Sequence, residues 1–476
     1  MKKQESLAHE AAEPLYAQLA ERLRSQILAG VYKPGDRIPT EAQLIAAYNV
    51  SITTVRRALS DLVAERLIAR RSRIGSVVRA PAPALTSRRT ITCLNLSSLA
   101  QSELADDSVK AMFERDNPEW ELKFRTLSDQ SWPLVTHQIE SADIVMAHPG
   151  WFERWIERGN LLDLNVFVEQ SKRLATRDLF PAALVPFARD GRLFGLPQMC
   201  NPTLLYCNNR LFKKAGIELN RLNWTWATLL ATIRRVSRSG IIGLGYFPYA
   251  ATWWEPFVIQ AGGRLMDART HSFLPDTEAA LTALAFAAKL GHMTECVVNL
   301  NARSDALDLI RNDRVAMVFS GPYMNRLIGD GLEHWTVFCP PGRPAPASVA
   351  VSYGLGISRF TREPLMSWRF VELYSGIVGQ LALGRTLHAL PAHRQAAADT
   401  FVKGPLQVNN KQAFIEAAEN ARALPGVLYD PMVHAMLMAE YDRWMRGAGK
   451  PAELLKHWRS CIPARQNRDG LLEQAG

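Results

Sequence analysis

Near the start of the chain, apolar residues recur every four positions. They are Leu15, Leu19, Leu23 and Ile27. This spacing predicts one buried face of a helix, and Gly30 predicts its end. Residues 32–39 (YKPGDRIP) follow, and their prolines and glycine predict turns rather than regular structure.

Two further helices are predicted by their first residues. Thr40 and Gln43 have the spacing of a capping box, and Ser51 is suited to cap a third helix. One face of the third helix is apolar, and its opposite face is polar. The apolar positions are Val55, Leu59, Leu62 and Val63, and the polar positions are Thr53, Arg56, Arg57 and Ser60.

The third helix is followed by a predicted β-hairpin. Residues 67–71 and 76–79 favour strands, and residues 72–75 between them favour a turn. Three helices and a two-stranded wing predict a winged helix-turn-helix domain over residues 1–79. The third helix of such a domain fits the DNA major groove, where arginine can bind guanine or phosphate through two hydrogen bonds.

The charge distribution indicates the same kind of partner. The whole chain has a net charge of +10, and residues 1–90 contain 15 Lys and Arg against 8 Asp and Glu, a net charge of +7. Seven arginines and no acidic residue lie between Arg66 and Arg89. Clustered arginine is typical of a surface that binds a polyanion.

Residues 14–68 resemble the GntR family of bacterial transcription regulators. The matching pieces are PLY, I-x-x-G-x-Y-x-P-G-D-R-I-P-T-E, V-S-x-x-T-V-R-x-A-L and L-I-x-R-R. Two positions depart from the usual pattern, since Ile52 replaces an arginine and Arg73-Ile74-Gly75 replaces Gly-Lys-Gly in the wing. The residues that we assign to DNA contact are Thr40, Ser51, Thr53, Thr54, Arg56, Arg57, Arg70, Arg71, Arg73 and Gly75.

Beyond residue 79 the composition changes twice. Residues 80–89 are rich in proline and alanine, which predicts an extended, semi-rigid linker. From residue 90 onward, predicted strands alternate with predicted helices, beginning with strands at 90–96, 120–124 and 142–148. This alternation predicts an α/β domain with largely parallel sheets over residues 90–476.

The large domain resembles type-1 extracellular solute-binding proteins, the group of the maltose-binding protein, over about residues 90–465. The matching pieces, in order, are DIV before Trp151, G-L-P…L-Y-x-N-x-x-L-F-K-K-A-G-I, T-W-x-x-L, Q-x-G-G, A-M-x-x-S-G-P-Y, G-x-G-I-S and L-P-A-x-R. The resemblance implies a two-lobed α/β domain of the periplasmic-binding-protein type. Crossing strands join the lobes, and a solute binds in the cleft between them.

Sugars present apolar faces and a rim of hydroxyls, so a site for them needs aromatic rings and hydrogen-bonding side chains in a cleft. The matched positions give these candidate ligand contacts: Ser97, Ser98, Trp151, Asn201, Tyr206, Trp253, Trp254 and Tyr323. Three other tryptophans, Trp155, Trp226 and Trp368, are expected in the core.

The sequence provides little support for catalysis, metal binding or membrane insertion. The six cysteines form no C-x-x-C pair and have no metal-ligand spacing with histidine. We recognise no catalytic motif, no cofactor motif, no export signal and no run of 18 apolar residues. We therefore expect a cytoplasmic, non-enzymatic protein with reduced thiols.

Two alternatives remain at this point. A GntR regulator of this length can carry an aminotransferase-like domain, but we find neither a Schiff-base lysine context nor a glycine-rich phosphate loop for pyridoxal phosphate. A solute-binding protein without a regulatory role would not need the arginine cluster. The favoured hypothesis is a homodimeric transcription regulator that binds operator DNA and responds to a small solute, a sugar or oligosaccharide.

Overall fold

The structure is a computed structural model. It describes residues 14–65, 67–71, 75–79, 89–96, 103–127, 132–221, 224–237, 240–246, 254–264, 277–293, 296–300, 303–340, 342, 347–386, 388–424, 426–429, 433, 435–437, 439 and 450–461.

In chain order, the elements begin with α1 (Leu15–Leu28), α2 (Glu41–Tyr48), α3 (Ile52–Ala64), β1 (Ile68–Arg71) and β2 (Gly75–Val78). They continue with β3 (Arg89–Asn95), α4 (Glu103–Asp116), β4 (Trp120–Thr126), α5 (Trp132–Glu140), β5 (Ile144–Ala147), α6 (Pro149–Glu157), α7 (Asn165–Gln170), α8 (Pro181–Leu184), β6 (Ala188–Arg189), β7 (Arg192–Leu193), β8 (Leu196–Pro197), β9 (Asn201–Pro202), β10 (Leu204–Asn208) and α9 (Asn209–Lys214). The remaining elements are α10 (Trp226–Val236), β11 (Leu244–Tyr246), α11 (Glu255–Gln260), α12 (Thr277–Gly291), β12 (Val297–Asn299), α13 (Ala306–Arg311), β13 (Met317–Ser320), α14 (Met324–Ile328), β14 (Trp335–Phe338), β15 (Ser348–Val351), β16 (Gly354–Ile357), α15 (Pro364–Ser375), α16 (Ile377–Gly384), α17 (Arg394–Ala397), α18 (Gln412–Glu419), β17 (Ala421–Ala423) and α19 (Pro451–Cys461).

The first five elements form a winged-helix domain. The predicted capping box starts α2, because the backbone N–H of Gln43 donates to Thr40 Oγ1 at 3.3 Å and that of Thr40 donates to Gln43 Oε1 at 2.9 Å. The wing strands β1 and β2 pair antiparallel, with Ile68 opposite Val78. The domain's core includes Leu19, Leu23, Leu44, Val55, Leu59 and Leu62.

One position on α3 differs from the prediction. Val63 is 36% exposed rather than part of the core. It lies eight residues after Val55, and eight residues turn a helix by about 80° beyond two full turns. Val63 therefore lies at the edge of the apolar face.

Over its described residues, the large domain contains two five-stranded sheets, a three-stranded sheet that crosses between them and a two-stranded sheet, β6-β7. We define lobe 1 by the sheet with strand order β4-β3-β5-β16-β8, and lobe 2 by the sheet with order β12-β11-β13-β10-β14. Helices cover both faces of each sheet, which gives each lobe a core on either side. The crossing sheet has the order β17-β15-β9.

The expectation of largely parallel sheets is confirmed for four of the five strands in each lobe, and one strand in each lobe runs antiparallel to its neighbours. In lobe 1, β3 is parallel to β4 and β5, but β16 is antiparallel to β5 and β8. In lobe 2, β11 is parallel to its neighbours, but β10 is antiparallel to β13 and β14. Both antiparallel strands come directly from the crossing sheet, β10 after β9 and β16 after β15. Each of the two strands enters the sheet of its lobe without a preceding crossover helix. Strands that follow each other in the chain pair in parallel only through such a crossover, so these two strands are free to run antiparallel.

Candidate nucleic-acid interface and inter-lobe cleft

The recognition helix α3 begins with a local hydrogen-bond cap. Ser51 Oγ accepts a hydrogen bond from the backbone N–H of Thr54 at 3.1 Å, and the two hydroxyls lie 2.8 Å apart. This cap stabilises the first helical turn and leaves the exposed Thr53 side chain on the outer surface. Ile52, also exposed, places an apolar side chain where family members usually carry arginine.

Two arginines on α3 are held on the outer surface by their neighbours. Arg56 Nε lies 3.0 Å from a carboxylate oxygen of Glu41 on α2, and its side chain remains 60% exposed. Arg57 packs over the Tyr16 ring and lies 3.8 Å from Asp61. Exposed ion pairs of this kind are weak, so a phosphate or a guanine can replace them at little cost.

The wing extends the same basic surface. Arg70 is exposed and lies opposite Ser76 in the β1–β2 ladder, and Gly75 adopts φ of +98° with open space around it. Arg71 pairs with Gly75 through its backbone, but its side chain and the whole of Arg73 lie outside the described residues. Thr40 is exposed, with its hydroxyl engaged in the capping box.

The candidate solute residues do not form a single group. Ser97, Ser98 and Trp253 lie outside the described residues. Tyr206 is fully buried in lobe 2, where its hydroxyl donates to Asn325 Oδ1 at 3.1 Å. Burial raises the pKa of Tyr206 well above its usual value.

Two of the candidate tryptophans are also mainly core residues. Trp254 is fully buried in lobe 2 and packs against Trp458, with ring centroids 5.1 Å apart. Trp151 is 6% exposed and packs on Trp155, with ring centroids 5.9 Å apart. Trp155 and Trp368 are buried, as expected for core tryptophans, whereas Trp226 is only partly buried against the core of lobe 2.

Asn201 lies in the crossing sheet, and Tyr323 lies at the start of α14 against the core of lobe 2. Asn201 is in the crossing strand β9, and its side-chain oxygen accepts from the Leu390 backbone N–H at 2.8 Å. This bond ties the 386–391 segment to the crossing sheet. Tyr323 immediately precedes α14 and is partly exposed.

Three aromatic residues that sequence reasoning missed meet between the lobes. His148 follows β5 in lobe 1, and Tyr429 follows Leu428 in the lobe 2 core. Their rings stack, with centroids 5.4 Å apart and planes 10° apart. Tyr353 lies between the crossing sheet and β16. Its ring meets the His148 ring edge-on, with centroids 6.3 Å apart. We call these three residues the cleft ring cluster.

Two glycines allow this approach between the lobes. A Cβ atom on Gly150 would lie 2.7 Å from the Gly426 carbonyl oxygen, and one on Gly426 would lie 2.6 Å from a Glu153 carboxylate oxygen. Only glycine therefore fits at either position without a shift of the backbone or of Glu153. The first turn of α6 and the turn at Gly426–Tyr429 form the contact between lobes 1 and 2 at the ring cluster.

The protonation state of His148 follows from its surroundings. Burial, assisted by the positive charge of Arg154, lowers the pKa of His148 to about 3. Its Nδ1 atom accepts a hydrogen bond from the Gly150 backbone N–H at 3.1 Å. A neutral ring that accepts at Nδ1 carries its proton on Nε2. His148 can therefore donate one hydrogen bond to an acceptor such as a hydroxyl oxygen.

The sequence contains a signal for two of the three residues of the cleft ring cluster. His148 ends a short apolar strand, and the carboxyl end of a parallel strand is a common place for a binding residue. Tyr353 directly precedes the G-x-G-I-S phrase, which is one of the pieces that resemble solute-binding proteins. Tyr429 lies in a short 3-10 turn near the end of the domain and has no such signal.

A groove lies beside α14. It has a volume of about 620 Å³ and is lined in part by Arg326, Thr386 and His388. Partial burial and the nearby Arg326 lower the pKa of His388, which favours the neutral ring.

Among the residues that the structure describes, no group of three or more His, Cys, Asp or Glu side chains is arranged to hold a metal ion. Within the same residues, no helix is both long and apolar enough to cross a bilayer.

Comparisons with known proteins divide the chain in the same way as its fold. Residues 15–78 match the gntR family of bacterial regulatory proteins, and residues 108–411 match the bacterial extracellular solute-binding proteins. Neither family is catalytic, and the second match replaces the aminotransferase-like alternative.

Individual relatives match one part each. Over 55 residues the chain is 49% identical to the mannosyl-D-glycerate transport/metabolism system repressor MngR of Escherichia coli, covering 12% of this chain and 23% of that repressor. A Brucella abortus protein described as a binding protein is 22% identical over 271 residues, covering 52% of this chain and 62% of that protein. The chain thus spans about a quarter of the first relative and less than two thirds of the second.

The fold has a clear counterpart among solved structures. The sugar-binding protein MalE from the phytopathogen Xanthomonas citri superimposes with a TM-score of 0.68 at 20% sequence identity, over 81% of this chain and 100% of that chain. At this identity the likeness concerns the fold, which is the two-lobed α/β architecture described above. The chain therefore belongs to the bacterial extracellular solute-binding protein family, and it carries a gntR-family winged-helix domain at its front.

Proposed function

We propose that this protein is a ligand-responsive transcription regulator of the cytoplasm. The winged-helix domain binds operator DNA, and a small solute bound between the lobes changes the affinity for that DNA. The observation that carries the proposal is the presence, in one chain, of an exposed basic helix-and-wing surface and an aromatic junction between two lobes. A solute that binds two lobe arrangements unequally shifts their populations, and this shift supplies the coupling.

On the DNA side, α3 enters the major groove and the wing contacts the backbone. Thr53, Thr54, Arg56 and Arg57 contact bases or phosphates from the helix, with Ser51 and Thr40 at the helix starts. Arg70, Arg71, Arg73 and Gly75 serve the wing. One winged helix reads only a few base pairs, so two copies bind a two-fold symmetric site as a homodimer.

On the solute side, we propose a sugar or oligosaccharide. Aromatic rings pack against the apolar faces of sugars, and the Nε2–H of His148 can donate to a hydroxyl oxygen. The solved relative with the same fold is named as a sugar-binding protein. The proposed contacts are Tyr323 and the cleft ring cluster, with Trp151 and Asn201 at the margin. Ser97, Ser98 and Trp253, which lie outside the described residues, stay proposed contacts on their matched sequence positions alone.

The solute half is tested by thermal unfolding of the full chain with a panel of mono- and oligosaccharides, amines and organic acids. A ligand at a hundred times its dissociation constant stabilises the folded state by about 2.7 kcal/mol, which raises the melting temperature. We expect a carbohydrate to do so, and we expect Tyr323→Ala to abolish the shift. A shift with amines or organic acids alone would contradict the carbohydrate assignment.

The DNA half is tested by selecting a duplex from a randomised pool with the wild-type chain. Arg56→Ala should weaken binding of that duplex about tenfold or more, because a bidentate arginine contact contributes about 1–3 kcal/mol. Arg115→Ala is the matched control, because it removes an exposed arginine that also pairs with a carboxylate, but from lobe 1. Equal losses in both variants would contradict a specific role for Arg56.

A further inference from the structure

One face of α1 is polar and yet buried. Glu21, Arg24, Ser25 and Gln26 are each 9% exposed or less. Charged groups are rarely buried unless they are paired, because loss of hydration is costly. Here Arg24 is paired twice, with Glu21 on its own helix and with Glu65, which lies 2.6 Å from Arg24 Nε.

Lobe 1 covers this face. The Ser25 hydroxyl donates to the Asp163 backbone carbonyl at 3.3 Å, and Arg22 lies 3.9 Å from Glu169 on α7. At the end of α1, Leu28 and Ala29 pack against the core of lobe 1. The winged-helix domain is therefore seated on lobe 1 by both polar and apolar contacts.

The C-terminal end of the recognition helix takes part in the same contact. Glu65 is the last residue associated with α3, and its carboxylate lies between Arg24 and Arg359 of lobe 1, at 3.7 Å from the latter. Arg359 is itself anchored, because its backbone N–H donates to Asn160 O at 2.9 Å and its guanidinium donates to Gly159 O at 3.4 Å.

A central strand of lobe 1 joins this contact to the cleft. Arg359 follows β16 by two residues, and Tyr353 of the cleft ring cluster precedes β16 directly. At about 3.3 Å per residue, the six steps between them span about 20 Å. The paired strand β5 runs the opposite way, from Asp143, which accepts from the Thr361 hydroxyl at 2.6 Å, to His148.

We propose that lobe 1 is the docking partner of the winged-helix domain. The Glu65–Arg359 pair is the contact that makes the recognition helix move together with lobe 1. Lobe 2 is then the body that moves relative to both. The docking stands on the contacts above, whereas its regulatory consequence rests on the proposed function. The ends of β5 and β16 place the cleft rings and the docking contact on one rigid unit.

The test is hydrogen–deuterium exchange of the full chain without added ligand or DNA. Arg359→Glu places two carboxylates together, and we expect exchange to accelerate about five- to tenfold in peptides covering residues 24–31 and 353–365. Peptides of α2 should be unchanged, because the domain itself stays folded. Arg362→Glu, an exposed position three residues on, makes the same charge change and should leave these peptides unchanged.

Three results would overturn the proposal. One is unchanged exchange in Arg359→Glu, and another is equal acceleration in Arg362→Glu. The third is equal acceleration in α2, which would mean that the pair holds the domain's fold rather than its docking. If Arg359→Glu does not fold, Arg359→Gln takes its place in the experiment, and a smaller acceleration of exchange is expected. Because the readout needs neither operator nor solute, failure to select a duplex or find a ligand would count only against the proposed function.

Discussion

The winged-helix domain and the two-lobed domain differ in how far apart in the chain their working residues lie. The proposed DNA-contacting residues run from Thr40 to Gly75, and hydrogen bonds between near neighbours set the starts of their helices. The cleft ring cluster joins His148, Tyr353 and Tyr429, which come from three widely separated segments. A surface made from one short segment can be recognised from its motif, whereas a site made by lobe packing depends on where each lobe lies.

The largest predicted effect belongs to the cleft, where the burial of His148 should make the free energy of unfolding depend on pH. Because the folded-state pKa of His148 is lowered to about 3, the unfolded chain takes up a proton below pH 6.5 while the folded chain does not. The free energy of unfolding should therefore fall as pH falls from about 6.5 towards 3. The loss is at most about 5 kcal/mol, since each pKa unit corresponds to about 1.4 kcal/mol.

Denaturant titrations of the wild type and His148→Asn across this pH interval measure the effect. Asparagine can still accept from the Gly150 N–H as a helix cap, so the variant removes the titration and keeps the cap. Parallel pH profiles in the two proteins would show that His148 is not the responsible group.

The second prediction separates a core tryptophan from a binding tryptophan. Trp254→Ala should lower the free energy of unfolding by about 4 kcal/mol, because it removes a fully buried ring that packs against Trp458. Tyr323→Ala, at a partly exposed position, should cost much less. Chemical denaturation of both variants checks this, and a stable Trp254→Ala that had lost solute binding would restore the ligand role assigned from sequence.

The third prediction concerns Asp163, which lies beneath α1. The pH dependence of stability that it predicts is opposite in sign to that predicted for His148. Burial, with a smaller contribution from Glu21, raises the pKa of Asp163 to about 6, against partial compensation by a hydrogen bond from Asn165 and by Arg192 and Arg22. Between about pH 4 and 6 the unfolded chain loses this proton before the folded chain does. Stability should therefore decrease as pH rises through this interval, by about 3 kcal/mol in total.

Asp163→Asn should remove this decrease, which denaturant titrations at pH 4, 5, 6 and 7 can measure. The Ser25 bond is to the Asp163 backbone, so the substitution leaves that contact in place. An unchanged pH profile in the variant would show that the carboxyl group titrates as an exposed one.

The smallest prediction tests the local character of the winged-helix domain. Thr40→Ala removes the side-chain acceptor of the capping box and should cost about 1 kcal/mol. Thr40→Ser keeps the acceptor and is the matched control. Thermal unfolding should place the serine variant with the wild type, and a cost shared by both variants would mean that the methyl group matters rather than the cap.

These residues show how far prediction from the sequence extends. The starts of α2 and α3 were predicted correctly, because Thr40 and Ser51 cap their helices through neighbours three residues away. Trp254 and Tyr206 were assigned to the ligand from their matched positions, and the structure places both in the core of lobe 2. An aromatic residue next to a motif is equally suited to either place, and only packing decides which it takes.

By itself, the sequence determined the order of the two domains, the helix-and-wing motif with its basic face, and the two-lobed family of the larger part. The first two properties follow from periodicity, capping and charge, which act over a few residues, and the third is implied by the resemblance of the ordered motifs to those of solute-binding proteins. The tertiary structure alone decided that β10 and β16 run antiparallel, that His148 meets Tyr429, and that α1 buries a polar face on lobe 1. Each of these depends on contacts between distant segments, because burial and pairing are properties of the folded chain rather than of any one stretch of it.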